Sequence, residues 1–97
     1  MFQIPSKFPL GRLLLTGAVN DLVLNNSHFA GFLLSSLNRH AQGDWGDMSP
    51  GDKAENEFSL DKYLRILSAY EHPILPKIWI ITEADRSTTT VLLPDEY

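Results

Sequence analysis

Six carboxylates crowd one short window of this chain. Asp44, Asp47, Asp52, Glu55, Glu57 and Asp61 are half of the twelve acids in 97 residues. Lys53 is the only base among them, so residues 44–61 carry −5, whereas the residues before Asp44 sum to +2 and those after Asp61 to −1. Carboxylates set this close can share a cation or divide the work of acid and base. A rigid row of them can instead face the lysines and arginines of another protein, and a third possibility is a solvated face that keeps a small domain soluble. Asp44 and Asp47 are the closest pair. The glycines around them, in Gly43-Asp44-Trp45-Gly46-Asp47, favour aspartates capping a sharp turn over a cation site.

A second polar cluster follows in Thr82-Glu83-Ala84-Asp85-Arg86-Ser87-Thr88-Thr89-Thr90. Glu83, Asp85 and Arg86 on a hairpin suit an anion or another protein. The structural alternative has Asp85 satisfying turn amides and Arg86 in a surface ion pair, a contact worth under about 1 kcal/mol. Enzyme signatures are absent: there is no phosphate loop, no nucleophile elbow and no His-x-x-x-His pair, and His28, His40 and His72 are scattered. No catalytic residue, metal ligand set or cofactor is expected. The competing enzyme reading is a small carboxylate-based hydrolase, which requires the fold to gather Asp44, Asp47, Glu83 and Asp85 around an ion. Direct nucleic-acid binding is a poor fit, because eight lysines and arginines are spread along the chain and the acidic window would repel phosphates.

These residues must be held by elements legible from periodicity. Pro5 and Pro9 keep the first residues extended, and Leu10–Leu15 reads as a short strand or edge segment. Thr16 caps a short helix ended by Asn25-Asn26. Ser27 is the expected cap of the next, whose buried stripe is Phe29, Phe32, Leu33 and Leu37, with Arg39 and His40 in its last turn and Gly43 as its stop. Ser49-Pro50-Gly51-Asp52 opens a third, mostly polar helix. From Leu64 the period becomes two: Leu64–Tyr70, Ile78–Thr82 and Thr88–Leu93 predict a three-stranded antiparallel meander, with Ile78–Ile81 central and covered on both sides. The expectation is one α+β domain over residues 1–97, N-terminal helices packed on the C-terminal meander. Its core should include Phe29, Leu33, Leu37, Phe58, Ile66, Ile78, Ile80, Val91 and Leu93.

Apolar residues make up 43% and charged residues 21%, ordinary for a folded domain. The absence of cysteine excludes disulfides and thiolate chemistry and agrees with a reducing cytoplasm. No apolar run approaches a membrane span, and the N-terminus lacks the long apolar core of a signal peptide. A cytoplasmic monomer that touches no membrane is expected.

Gly43-Asp44-Trp45-Gly46-Asp47, Asn56, Arg65-Ile66-Leu67-Ser68-Ala69-Tyr70 and the run from Lys77 to Tyr97 resemble a family of small proteins carried by plasmids and other mobile elements, over roughly residues 43–97, with a looser echo in Ile4–Leu15. That family implies a setting and no activity. In size, acidity and setting the chain is also similar to the DNA-mimicking inhibitors of type I-F CRISPR surveillance complexes, short phage- or plasmid-borne proteins that occupy the target-DNA site of the effector. The resemblance implies a bacterial host and a partner with a basic DNA-binding surface. The acidic window, with Trp45, would supply the contact, and Glu83, Asp85 and Arg86 form a secondary candidate. The alternative is a non-enzymatic accessory or regulatory protein that binds another plasmid-encoded protein through an exposed sheet edge or Trp45.

Overall fold

The computed structural model describes residues 6–97, so the extended start expected at Pro5 lies outside it. Gly11 sets the first element. Its φ is +66°, and a Cβ there would run into the carbonyl of Ser87, so only glycine lets the two backbones meet. That approach lays β1 (Arg12–Leu15) alongside the C-terminal hairpin. Thr16 then turns the chain into α1 (Gly17–Asn25), its hydroxyl accepting from the Val19 amide at 3.4 Å. The second helix, α2 (Ser27–Ala41), is capped one residue earlier than expected: the Asn26 side chain, not Ser27, accepts from the amides of His28 and Phe29. Gly43, at φ +79°, follows it in the left-handed conformation expected of a stop. The Ser49 hydroxyl accepts from the Asp52 amide at 3.1 Å to open α3 (Pro50–Lys62).

Three further strands complete the fold, β2 (Ile66–Tyr70), β3 (Ile78–Thr82) and β4 (Thr88–Leu92), before a closing 3₁₀ turn at Pro94–Glu96. They form the expected antiparallel meander, but the sheet has a fourth member. β1 pairs with β4 in parallel, giving the order β1-β4-β3-β2, so the α+β sheet is mixed and four-stranded. A parallel partner needs a long connection, and here nearly the whole chain separates the two strands. Periodicity marks each strand but not that pairing.

The two faces of the sheet follow from the register. Tyr70, Ile78, Ile80 and Val91 point to one side, where Val19 of α1 and Phe29, Leu33 and Leu37 of α2 pack on them. Leu67, Ala69, Trp79, Ile81 and Leu92 point to the other, partly covered by α3 and by Tyr97, whose ring meets Trp79 edge-on at 5.5 Å. β3 is therefore interior and backed on both sides, as its apolar run predicts. One expected core residue is not core, since Phe58 is 54% exposed, and Leu93 is half-buried, packed against the margin of the main core. α3 turns Asn56 and Ser59 towards the sheet, and about 100° of rotation per residue carries Phe58 to the opposite side.

A buried polar chain runs beside the main core on the same face of the sheet. Thr89 donates its hydroxyl to the Leu10 carbonyl at 2.7 Å and lies 2.8 Å from the Thr82 hydroxyl, which lies 2.8 Å from His40 Nε2. The carbonyl can only accept, so the protons are ordered: Thr82 donates to Thr89, His40 donates from Nε2, and Nδ1 accepts from the Ser68 hydroxyl at 2.5 Å. His40 is fully buried, with Phe8 and Trp45 edge-on to its ring, and desolvation pushes its pKa down to about 3. An unfolded histidine titrates near 6.5, so this contribution is complete above that pH and is lost as pH falls towards 3. Unfolding free energy should drop by about 2 kcal/mol between pH 7 and pH 5 on this account. In His40→Leu, less stable at neutral pH, that acid slope should be absent from chemical denaturation curves; an unchanged slope would assign it to other groups.

Candidate functional site

The acidic window begins in a loop whose backbone is sheet-like. Residues 45–47 lie along the outer edge of β2: the Ala69 amide donates to the Trp45 carbonyl at 3.3 Å, and the Asp47 amide donates to the Ala69 carbonyl at 2.7 Å. Gly46 sits between them at φ +78°, so close to the Ala69 carbonyl and the Tyr70 ring that a Cβ would overlap both. Asp44 and Asp47 are structural carboxylates here. Asp44 takes a two-pronged hydrogen bond from Arg39, at 2.7 and 3.1 Å, and also accepts from the Gly46 amide. The Arg39 hydrogen bond holds its carboxyl below the usual range, the Gly46 amide adding to it. Asp47 accepts from the Glu71 amide at 2.9 Å. This is the turn chemistry that the flanking glycines predict.

Trp45 corrects an expectation outright. It is 3% exposed, packed with Phe8 and Ile66 in a second small core, and its indole N–H donates to Glu57 at 2.7 Å. A ring so enclosed is unavailable to a partner, and Glu57 is engaged in holding it.

α3 lies beyond this loop against β2. The Asn56 carboxamide behaves like a strand residue: its Nδ2 donates to the Leu67 carbonyl at 2.6 Å and its Oδ1 accepts from the Leu67 amide at 3.2 Å. With the inner side of the helix committed to Asn56 and Ser59, its outer side carries Ala54, Glu55, Phe58 and Asp61. Glu55 and Asp61 stand one turn before and after the exposed Phe58 ring. Ion pairs among the described residues are Arg39–Asp44 and Lys77–Glu71, so Asp52, Glu55 and Asp61 have no basic partner within 4.0 Å. Between α3 and the outer sheet face runs a groove of about 470 Å³, lined by Asp52 and Glu55 of α3 and by Arg65, Leu67, Lys77 and Trp79. The sequence reading missed the groove, because nothing local shows that β2 and α3 are neighbours.

The hairpin cluster also differs from expectation. Arg86 makes no surface ion pair; it is 6% exposed, with φ +62°. Its guanidinium donates to the carbonyls of Leu64 at 2.7 Å, Ser59 at 2.9 Å, Glu83 at 3.1 Å and Ala84 at 3.2 Å, and its carbon lies 5.9 and 5.2 Å from the centres of the Phe8 and Tyr63 rings. It clasps the end of α3 to the β3–β4 turn. Asp85, fully exposed, accepts from the Ser87 amide at 3.0 Å, and hydrogen bonds from Ser87 hold its carboxyl below the usual range.

The structure does not assemble the hydrolase site. Asp47 is anchored level with Glu71 and Glu83 follows Thr82, the partner of Ile66, so the two acid pairs lie at opposite ends of β2, roughly 20 Å apart at about 3.3 Å per residue. Among the described residues no group of three or more His, Cys, Asp or Glu could hold a metal ion, and no helix is long and apolar enough to cross a membrane. No family model, curated protein or solved structure matches the chain.

Removing the clasp should be costly. Arg86→Ala strips several buried carbonyls of their donor and should lower unfolding free energy by about 3 kcal/mol. Arg86→Lys should recover little, since one ammonium cannot span carbonyls on three segments. Denaturant midpoints for both variants check this, and a Lys variant within about 0.5 kcal/mol of the parent would refute the clasp.

Proposed function

We propose that this protein is a non-enzymatic binder of a basic, DNA-binding protein surface, and that α3 is the element it presents. In its specific form this is an inhibitor that takes the target-DNA site of a type I-F CRISPR effector, the reading that the resemblance to DNA-mimicking inhibitors suggests. One observation carries it. The outer side of α3 offers an exposed aromatic ring, Phe58, with the unpaired carboxylates of Glu55 and Asp61 one turn either side.

That pattern has the anatomy of a contact surface. A central aromatic provides desolvated area and charges at the rim select the partner and speed encounter. The acids stand about 4.5–6 Å apart along a rigid helix axis, a spacing that suits a row of cations. Asp52 and Glu55 extend the charge to the α3 side of the groove, whose lining also holds Arg65 and Lys77. Of the six acids in the window, Asp44, Asp47 and Glu57 hold the loop and Trp45, which leaves Asp52, Glu55 and Asp61 for recognition.

Purified type I-F effector, titrated in competition with its target duplex, tests the reading. The protein should displace DNA, and its affinity should fall steeply as salt rises. Charge reversal by D52K and E55K together should weaken binding at least tenfold, whereas D21K with D95K should change it little. Phe58→Ala should weaken binding at high and low salt alike, because its contribution is not ionic. Inhibition that survives D52K/E55K would leave α3 as a solvated face.

A further inference from the structure

The two edges of the sheet are treated in opposite ways. On β2 the outward backbone groups are all but closed, by Trp45, Asp47 and the Asn56 side chain. On β1 they are open. Arg12 and Thr16 donate their amides inward, to the Ser87 and Val91 carbonyls at 2.9 and 3.2 Å. Alternation then points the amides and carbonyls of Leu13 and Leu15 away from β4, and no described residue meets them. Helix α1 packs over β4 and α2, leaving Leu13 48% and Leu14 39% exposed. An apolar strand with an unpaired edge is a template for another strand.

We infer that β1 is a self-association edge: two copies pair β1 with β1 in antiparallel fashion about a two-fold axis through Leu14, giving a continuous eight-stranded sheet. The hydrogen-bonding groups select this arrangement. An antiparallel pair exchanges two bonds only between residues whose polar groups face each other. A two-fold through Leu14 sets Leu13 opposite Leu15 of the second copy and Leu15 opposite its Leu13, so every outward amide and carbonyl of the strand is used. A shift by half a residue would set Leu13 opposite Leu14, whose amide is committed to β4.

Charge fits the same register. Arg12, Leu14 and Thr16 share the sheet face on which the closing turn lies, and Arg12 makes no ion pair with a described residue. Thr16 donates its hydroxyl to Glu96 at 2.8 Å, which fixes that exposed carboxylate beside residue 16. In the two-fold pair Arg12 stands opposite Thr16 of the other copy, with Cβ atoms about 5 Å apart, well within reach of the Glu96 held there. The contact occurs twice, once at each end, with Leu14 against Leu14 between. The monomer expected from sequence thus becomes the dilute form. Because β1 and β2 are opposite edges, the dimer leaves both copies of α3 free, so this inference stands apart from the binding face.

Sedimentation equilibrium over a wide concentration range, with residue-resolved hydrogen exchange, tests it. Mass should rise towards that of a dimer, and the Leu13 and Leu15 amides should exchange slowly in concentrated samples and fast in dilute ones. R12Q and E96Q, whose amide oxygen can still accept from the Thr16 hydroxyl and the Leu93 amide, should each raise the dissociation constant severalfold, and R12Q/E96Q should raise it no further than either alone. A monomer at every concentration up to about 1 mM, where only affinities weaker than about 4 kcal/mol escape detection, would overturn it. So would a dimer in which those two amides still exchange fast, or one in which the losses from R12Q and E96Q simply add.

Discussion

Backbone groups that face away from a sheet must find partners, and the outer edge of β2 is where this chain meets that demand. Three residues of loop and one asparagine side chain satisfy Ala69 and Leu67. Much of the acidic side of the molecule is a consequence. For residues 45–47 to lie against β2, Gly46 must take a left-handed conformation with no Cβ, and Asp44 must cap the turn while bound to Arg39. Trp45 is driven inward beside Phe8 and Ile66, and its indole nitrogen, buried with the ring, requires Glu57 as acceptor. Asn56 can replace a strand only if α3 presents that side to the sheet, and this in turn is what exposes Phe58. Closing one edge places the loop, the helix and the aromatic.

The same constraint divides the acids by role. In the linear sequence they form one negative block, but a carboxylate is also the strongest acceptor for turn amides, guanidinium groups and an indole N–H. Asp44, Asp47 and Glu57 serve as acceptors, and their charge is largely committed before any partner arrives. Asp52, Glu55 and Asp61 have no such duty. The opposite assignment holds for Arg86, which looks like a surface cation in sequence and is a buried donor to main-chain carbonyls. Left-handed backbone at Arg86 turns its side chain in under the end of α3.

What was legible in the sequence was mostly what is local. Caps at Thr16 and Ser49, the stop at Gly43, the buried stripe of α2 and the three meander strands each depend on residues within one or two turns of each other. The misplaced cap of α2 shows the limit even there: Asn26 and Ser27 are both good caps, and only the backbone decides between them. The parallel partner of β1 and the groove under α3 depend on contacts between residues far apart in sequence, which no period encodes. Ala54 and Phe58 share the one apolar side of α3, which reads as its buried side, yet both are exposed. The polar pair Asn56 and Ser59 took the inner side instead, since hydrogen bonds to the edge strand were available to them and not to a ring.

Polar residues also explain why the core tolerates His40. A neutral imidazole needs a donor on one nitrogen and an acceptor on the other, and β2 and β3 supply them as Ser68 and Thr82 on adjacent strands. The proton order is dictated from outside the core, by the Leu10 carbonyl at the end of the chain of hydroxyls. That carbonyl belongs to the segment leading into β1, so the chain of hydrogen bonds joins this segment to β4, β3 and α2. The polar line therefore ties the strand with the open edge to α2, the helix that carries His40 and Arg39, across one face of the sheet, and makes these elements one cooperative unit.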